Sequence, residues 1–358
     1  MKTRVVHPCR QKLLYCVFGR SDVIFGISKQ TLMSHKFLFF IVSLCILTCS
    51  ACNKTVVGEY TGTGSITKGL ANTTTENLYA KGIRVAGIGS ITATDNTVWT
   101  VPAEVNFLNT AFPFASDLYN PDGNKFASSS AALAAFDNSK IVEIDAAGEV
   151  ITAYIFADNY FELYINGVAV GKDAIPFTDF NSHIIKFKVS KPYTIAMKLV
   201  DWEERLGLGC EKNGGKNYHP GDGGMVAVFK DAAGNVVCKS NSDWKAQTFY
   251  TAPIKDLSAF VEEGSTRNSS KCSSSDVADG SGFAAIHWTV PTDWMGETFD
   301  DSSWPNATTY TNATIGVDNK NAYTNFTDIF DDASNDAQFI WSTNVILDNE
   351  VLVRKVVQ

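Results

Sequence analysis

The sequence predicts an all-β protein, an antiparallel β-sandwich of the jelly-roll type with long loops and little helix. The stretch 153–171 alternates strand-forming residues and contains Asn166-Gly167, whose tolerance of positive φ favours a type I′ hairpin turn. Further short apolar segments recur along the chain between turn signals. Residues 128–136, which include a run of Ala, are the best helix candidate in the chain, and this segment is short. Many short strands with few helices are typical of β-sandwiches.

The strands follow from apolar runs bounded by Gly, Asn and Asp. They are predicted at 153–157, 160–166, 184–189, 193–201, 225–230, 339–346 and 351–357. Two long loops separate some of them: residues 206–224 contain seven glycines, and residues 264–282 are rich in Ser and Gly. We divide the chain into a signal-peptide region (1–51), a strand-rich N-terminal extension (52–110) and a sandwich (111–358).

The charge is distributed unevenly. Seven Lys or Arg and one Asp give residues 1–52 a net charge of +6, so the remaining residues carry −14 of the total of −8. Nucleic acids and anionic membranes attract basic surfaces. The acidic body therefore argues against both as partners.

Residues 37–47 form an apolar run of eleven residues that is preceded by His and Lys and followed by small residues. This run is short for a membrane span and matches the core of a signal peptide. Met33 is a candidate true start. The pattern predicts a secreted or cell-surface protein without stable membrane insertion after cleavage. An uncleaved anchor and lipoprotein processing at Cys52 are the alternatives.

A secreted protein is expected to oxidise its thiols, and three cysteines lie beyond residue 52. The favoured disulfide joins Cys210 to Cys238, closing a loop of roughly thirty residues, which stabilises by a few kcal/mol in the loop-entropy picture. Three unpaired buried thiols are the alternative.

Three segments together resemble galactose-binding-like β-sandwiches, the accessory modules of many carbohydrate-active enzymes. They are the Asn-Gly hairpin 157–167, the strand and Ser-x-Trp-Lys ending in 223–245, and Phe-Asp-Asp-Ser-Ser-Trp at 299–304. The last segment usually precedes the hairpin in those modules, whereas here it follows. The chain also resembles a family of secreted microbial and algal proteins. The resemblance implies the fold and, as an expectation, a polysaccharide or glycan partner.

Asp158, Asn159 and Glu162 lie on or beside the central hairpin, with Tyr160 or Tyr164 as a nearby aromatic platform. Sugars present hydroxyl edges and an apolar face, so planar polar groups beside an aromatic ring suit them. These residues are therefore candidate ligand contacts. Ordinary turn chemistry is the alternative for Asp and Asn.

The loop 206–224 adds Tyr218, His219 and Asp222 as candidate ligand residues, because binding residues gather in loops at the ends of a sandwich. A connector without a ligand is the alternative. Trp294 and Trp304 lie in a polar, turn-rich segment, and we expect them to be the better exposed tryptophans.

Asp201, Glu203 and Glu204 offer either oxygen ligands for structural calcium or a carboxylate pair for glycoside hydrolysis. Solvated acids at a strand end are the alternative. No His/Cys pattern suits zinc, and no catalytic motif stands out. The favoured function is a secreted or cell-surface, non-catalytic carbohydrate-binding module. A glycoside hydrolase or lyase and a structural surface protein without a small ligand remain alternatives.

Overall fold

A computed structural model of the chain describes residues 60–81, 84–177, 179–212, 217–273, 282–334 and 336–358. The signal-peptide region 1–51, its apolar run and Cys52 lie outside these residues. In chain order the strands are β1 (Ser65–Lys68), β2 (Asn72–Thr75), β3 (Ile88–Thr92), β4 (Val98–Val101), β5 (Ser116–Tyr119), β6 (Val142–Glu143), β7 (Glu149–Asp158), β8 (Tyr160–Ile165), β9 (Val168–Lys172), β10 (Ser182–Val189), β11 (Tyr193–Val200), β12 (Gly224–Lys230), β13 (Val236–Lys239), β14 (Lys245–Ile254), β15 (Val261–Glu263), β16 (Thr266–Asn268), β17 (Ala284–His287), β18 (Thr308–Tyr310), β19 (Phe339–Trp341) and β20 (Asp348–Val357).

The helices are short. They are α1 (Ser129–Ala135), α2 (Asn312–Ile315), α3 (Asn321–Thr324) and α4 (Thr327–Phe330), with 3-10 turns at Asn138–Lys140 and Leu257–Ala259. The predicted helix is therefore present as α1, and the Ser128 hydroxyl caps it by accepting from the Ala131 N–H at 3.3 Å. Within the described residues no helix is long and apolar enough to cross a membrane.

Two large sheets pack against each other, which confirms the all-β sandwich. One has seven strands in the order β1-β17-β14-β20-β11-β8-β9. The other follows the order β18-β19-β12-β7-β10-β5, with β13 added beside β12 and β6 beside β10. Every strand pair is antiparallel except β6 with β10. Two small sheets, β2-β3-β4 and β15-β16, lie outside these two.

The central hairpin forms as the sequence predicts. Asn166 has φ +51° and Gly167 has φ +78°, the positive values that a type I′ turn requires. The Asn166 side-chain oxygen also accepts from the Thr194 N–H at 2.8 Å, which fastens the turn to β11. The hairpin places β8 between β9 and β11 in the seven-stranded sheet.

Side chains alternate between the two faces of a strand, so alternate residues of β8 enter the sandwich interior or lie on the opposite face of their sheet. From β8, Phe161, Leu163 and Ile165 enter the main core, together with buried residues of β7 from the other sheet. Tyr160 and Tyr164 belong to other, smaller clusters. Their side of the seven-stranded sheet is called the outer face here.

Each predicted strand corresponds to an observed one, although β7 begins earlier than predicted, at Glu149, and the strand at 339–346 is shorter. There the strand covers only Phe339–Trp341. The Asn344 side-chain oxygen accepts from the backbone N–H groups of Ile346 and Leu347, at 3.0 and 3.3 Å, and so stabilises a turn instead. The final strand, in turn, begins earlier than predicted, at Asp348.

The segment predicted as an N-terminal extension contributes directly to the sandwich. Its strand β1 pairs with β17 at one edge of the seven-stranded sheet. Farther along, the backbone carbonyls of Asn106, Phe107 and Asn109 accept from the buried ammonium group of Lys172 at 2.7–2.8 Å. Three carbonyl acceptors satisfy all three ammonium donors. Residues 106–109 are thereby fixed beside β9.

Candidate functional site

A row of polar and aromatic side chains crosses the outer face of the seven-stranded sheet. Glu162 of β8 lies directly opposite Lys198 of β11. Glu350 of β20 lies opposite Tyr250 of β14, and Tyr250 lies opposite His287 of β17. Cross-strand partners are near neighbours on one face of a sheet. Five adjacent strands therefore bring together residues that are far apart in the sequence.

A cleft of about 570 Å³ lies over this row, and we call it the outer-face cleft. Its volume falls within the usual range for small-molecule sites, about 300–1,000 Å³. The aromatic residues lining it are Trp99, Tyr164, Phe249, His287, Trp288 and Trp294. The titratable residues lining it, apart from Tyr164 and His287, are Glu104, Glu162, Lys198 and Glu350. Rings beside a few polar groups are the usual composition of a ligand site.

Three stacked rings form one side of the cleft. The Trp99 ring stacks on His287, with centroids 5.4 Å apart and an interplanar angle of 17°. His287 stacks in turn on Tyr250, at 4.5 Å and 13°. Trp99 is half-buried, whereas the other two rings are buried. Trp99 is therefore the outermost ring of the stack and the one available to a ligand.

The stack carries no charge at neutral pH. Burial lowers the pKa of His287 to about 3, so its imidazole is neutral. Its Nε2 lies 2.8 Å from the Thr67 hydroxyl on β1. The strand contributed by the N-terminal segment therefore helps to orient the ring that supports Trp99.

Glu162 is fully buried in the floor of the cleft and is saturated with hydrogen bonds. Its carboxylate accepts from the Tyr160 hydroxyl at 3.1 Å and the Tyr164 hydroxyl at 2.7 Å. It also accepts from the backbone N–H and the side-chain amide of Asn106. Because these four donors occupy the carboxylate, Glu162 positions Tyr164 and the 106–109 segment.

Lys198 and Glu350 form a nearly buried ion pair, with the ammonium nitrogen 3.1 Å from Oε1 of Glu350. The ammonium group also donates to the Glu104 backbone carbonyl at 2.6 Å. Burial favours the neutral amine, but Glu350 and Glu162 outweigh it and raise the pKa of Lys198. Burial raises the pKa of Glu350, and the Lys198 charge opposes this shift. Lys198 is therefore a fixed positive charge in the cleft.

Trp294 and Trp304 are both buried, at 3% and 7% exposure, so the prediction that they are exposed is wrong. Trp294 packs edge-on against Tyr164, with centroids 5.5 Å apart, and lines the cleft. Trp304 packs behind the cleft against Phe249 and Phe299. Their turn-rich segment folds back onto the sheet, where Arg354 of β20 donates to the Trp294 carbonyl.

Asp158, Asp201 and Asp222 come together at a second place, as an acidic cluster at the ends of β7, β11 and the 206–224 loop. Burial, followed by repulsion from neighbouring carboxylates, raises the pKa of Asp158 and Asp201 well above the usual range. Burial and Glu211 raise the pKa of Asp222 to about 6. Glu211 is paired with Arg84. None of these three aspartates lines the outer-face cleft.

Three other predicted ligand residues have internal partners. The Asn159 side-chain oxygen accepts from the Trp202 N–H at 2.6 Å. The Arg205 guanidinium lies over the Tyr218 ring, 4.8 Å from its centroid. His219 Nδ1 lies 2.9 Å from the Pro220 carbonyl. These contacts give Asn159, Tyr218 and His219 roles in the local structure of the chain.

Glu203 and Glu204 stabilise the start of the 206–224 loop. Buried Glu203 accepts from the Gly207 N–H at 2.6 Å and the Tyr250 hydroxyl at 3.1 Å, and burial raises its pKa to about 8. Glu204 accepts from the Lys212 N–H at 2.6 Å. Over the described ranges, no group of three or more His, Cys, Asp or Glu side chains is arranged to hold a metal ion. Calcium at Asp201, Glu203 and Glu204 stays a prediction.

The predicted disulfide between Cys210 and Cys238 is not formed in the structure. Cys210 packs with Leu208 and Tyr218 in a small cluster beside the loop, whereas Cys238 belongs to the main core. Cys238 is directed toward the Lys239 carbonyl, and burial raises the pKa of its thiol to about 12. Separate packing environments explain why the two thiols do not meet.

Sequence reasoning missed Trp99, Lys198 and Glu350, although it named Glu162, Tyr164 and Trp294. Trp99 lies in the segment predicted as an extension, and a Trp within the strand-forming residues 98–101 was the available signal. Lys198 is the one charged residue within its apolar strand, Tyr193–Val200. A charge in such a strand is a signal that the residue faces a polar site.

Comparisons with protein-family models, with curated proteins and with solved structures found no match to this chain. The class that the fold defines is an all-β sandwich with a ligand-sized cleft on the outer face of one sheet.

Proposed function

We propose that the protein is a secreted or cell-surface, non-catalytic carbohydrate-binding module whose ligand lies in the outer-face cleft. The observation that carries the proposal is the Trp99 ring, half-buried and stacked on His287 in the cleft that the carboxylate of Glu350 also lines. A sugar ring packs its apolar face on an aromatic ring and directs its hydroxyl groups toward polar side chains. The signal-like N-terminal segment favours the extracellular location.

The composition of the cleft supports a polar, hydroxyl-rich ligand. Hydroxyl groups from four threonines join the carboxylates and rings, namely Thr97, Thr100, Thr289 and Thr292. Hydroxyl groups both donate and accept, as sugar hydroxyls do. An apolar ligand of the same size would leave these groups without partners, which costs binding energy.

The hydrolase alternative rested on Asp201, Glu203 and Glu204, and the geometry does not favour it. Glu203 is occupied by Gly207 and Tyr250, and Glu204 by Lys212. None of the three residues lines the outer-face cleft. Binding without turnover is therefore the function that the residues support best.

A glycan array tests the proposal, with the wild type compared with Trp99→Ala and Leu133→Ala. Leu133 is a matched control because it is 40% exposed and lies on α1, outside the cleft. We expect a restricted set of glycans to bind, with affinity reduced by about tenfold or more in Trp99→Ala, the factor that about 1.4 kcal/mol of lost stacking produces. Leu133→Ala should bind as the wild type does.

Two further measurements separate the alternatives. Arrays with and without added Ca²⁺ detect a calcium-dependent binder. Reducing-end assays on the bound polysaccharides detect turnover and would favour a hydrolase or lyase. An array without any bound glycan would favour a structural surface protein.

A further inference from the structure

The outer-face cleft carries an excess of negative charge. Its titratable residues include three carboxylates, Glu104, Glu162 and Glu350, against the single ammonium group of Lys198. His287 adds no charge, because burial lowers its pKa to about 3. Among the described residues lining the cleft, two negative charges are therefore left uncompensated.

The one cation is not available to an anionic ligand. The Lys198 ammonium group already donates to the Glu104 carbonyl at 2.6 Å and contacts Oε1 of Glu350 at 3.1 Å. Glu162 lies directly opposite Lys198 in the sheet register. The Lys198 side chain is only 9% exposed, and a ligand carboxylate that reached it would lie beside the like charge of Glu350. Buried like charges repel strongly because little water screens them.

The anion receptors that proteins usually build are absent from the described cleft lining, which contains no Arg. Arg267 approaches from behind, with its guanidinium 4.7 Å from the Phe249 centroid and 4.6 Å from the Trp288 centroid. It also donates to the Thr248 carbonyl at 2.7 Å. The forked guanidinium of Arg is the group that best recognises carboxylates and sulfates. Here the guanidinium of Arg267 packs against the Phe249 and Trp288 rings instead.

Uncharged sugar hydroxyls match the carboxylates and threonine hydroxyl groups of the outer-face cleft well. A carboxylate accepts hydrogen bonds only, and each hydroxyl can donate one. Glu350 retains slight exposure at the cleft, and Glu104 is exposed, so both can accept from a ligand. The threonine hydroxyl groups at the rim can donate or accept.

We infer that the cleft selects uncharged glycans and rejects polysaccharides that carry uronate or sulfate groups, with Glu104 and Glu350 as the specificity-determining residues. This inference rests on the proposed function and adds the substrate class to it. Trp99 supplies affinity through its ring face, and the carboxylates supply discrimination through charge.

The test compares matched polymers by affinity electrophoresis. Unmodified β-1,4-glucan, β-1,4-galactan and β-1,4-mannan are each paired with the same polymer after oxidation of C6 to a carboxylate. We expect at least one unmodified polymer to bind, and its oxidised partner to bind at least tenfold more weakly. The ratio of these two affinities should fall at high salt, because ions screen the repulsion between the polymer carboxylates and the acidic residues at the open rim.

Glu104→Gln is the informative variant, since Glu104 is exposed and its role for Lys198 uses only the backbone carbonyl. This variant should reduce the ratio of the affinity for the unmodified polymer to the affinity for the oxidised polymer by about threefold or more. Glu149→Gln is the control, because Glu149 is an exposed acid on β7 of the other sheet. It should leave the ratio unchanged. A melting curve for each variant checks that it is folded.

The outcomes distinguish failure of the inference on charge from failure of the proposed function. If an oxidised polymer binds as tightly as its parent, or more tightly, and Trp99→Ala abolishes that binding, the inference on charge is overturned while the proposed function stands. If the array shows no bound glycan and no polymer binds, unmodified or oxidised, both fail. If only uronate- or sulfate-bearing glycans of the array bind, the inference on charge alone is overturned. An unchanged ratio in Glu104→Gln would remove Glu104 from the assignment.

Discussion

The ammonium nitrogen of Lys198 lies 3.1 Å from Oε1 of Glu350, and both side chains are about nine-tenths buried on the outer face of the seven-stranded sheet. A second ion pair, between Lys188 and Glu143, has a longer separation of 3.8 Å and much more exposed side chains. Buried pairs are costly to break, because the remaining partner is an unpaired charge in a poorly solvated place. The two pairs therefore allow a controlled comparison within one protein.

Replacing Lys198 by Met should lower the free energy of unfolding by about 3–5 kcal/mol, because Glu350 is left buried without its counter-ion. Urea unfolding measures this difference. Lys188→Met should cost less than about 1 kcal/mol, since exposed pairs contribute little. Adding Glu350→Leu to Lys198→Met should recover much of the loss. Equal effects of Lys198→Met and Lys188→Met would contradict the assigned burial.

Replacing Glu162 by Gln should loosen the 106–109 segment. The carboxylate accepts from Tyr160, Tyr164 and both donors of Asn106, and the Gln amide nitrogen would face donors instead of accepting from them. Losing charge-assisted bonds at a buried site costs about 1.5–3 kcal/mol each. Hydrogen exchange should therefore become faster in residues 104–112. Glu149→Gln is the control and should leave this exchange at the wild-type rate.

The raised pKa of Asp222 predicts that its contribution to stability falls as the pH rises, the opposite of the usual direction for an aspartate. Burial and Glu211 raise its folded-state pKa to about 6, above the ordinary value of 3.8. A raised pKa means that its contribution to stability is fully present below pH about 4 and is lost as the pH rises through about 6. Asp222→Asn lacks this titration. The variant should therefore gain stability relative to the wild type between pH 4 and 7.

The expected relative gain is about 1–2 kcal/mol, below the roughly 3 kcal/mol that the full shift would give, because Asp222 is partly exposed. Urea unfolding at four pH values measures it. Asp256 is exposed, and its pKa is lowered by hydrogen bonds from Ser258. The lowered pKa of Asp256 places its titration below pH about 4, so Asp256→Asn should show no slope between pH 4 and 7. A pH-independent difference for Asp222→Asn would show that the carboxyl titrates normally.

The double variant Tyr218→Ala with Asp222→Asn tests where the ligand lies. Both residues belong to the 206–224 loop and lie outside the outer-face cleft. Glycan affinity in the array should therefore stay within about twofold of the wild type, a change under about 0.5 kcal/mol. Loss of binding in the folded double variant, with binding retained in Trp99→Ala, would move the site to the loop.

The sequence by itself determined the fold class and several of the local elements, although not strand β14 or helices α2–α4. Asn166-Gly167 defines its turn because the two residues tolerate positive φ, and the observed angles of +51° and +78° agree. The sequence also named Tyr160 and Tyr164 as rings near Glu162, and both hydroxyl groups donate to its carboxylate in the structure. These features depend on neighbours within a few residues, which the sequence displays directly.

Only the tertiary structure decided where the candidate site lies. Glu162, Lys198 and Glu350 come from three strands separated by many residues, and strand order and register bring them together. The polar segment around Trp294 predicts an exposed ring, yet that segment folds back onto β20. Trp99 joins the ring stack only when β4 lies against His287 of β17. Such pairings depend on long-range packing, which local composition does not encode.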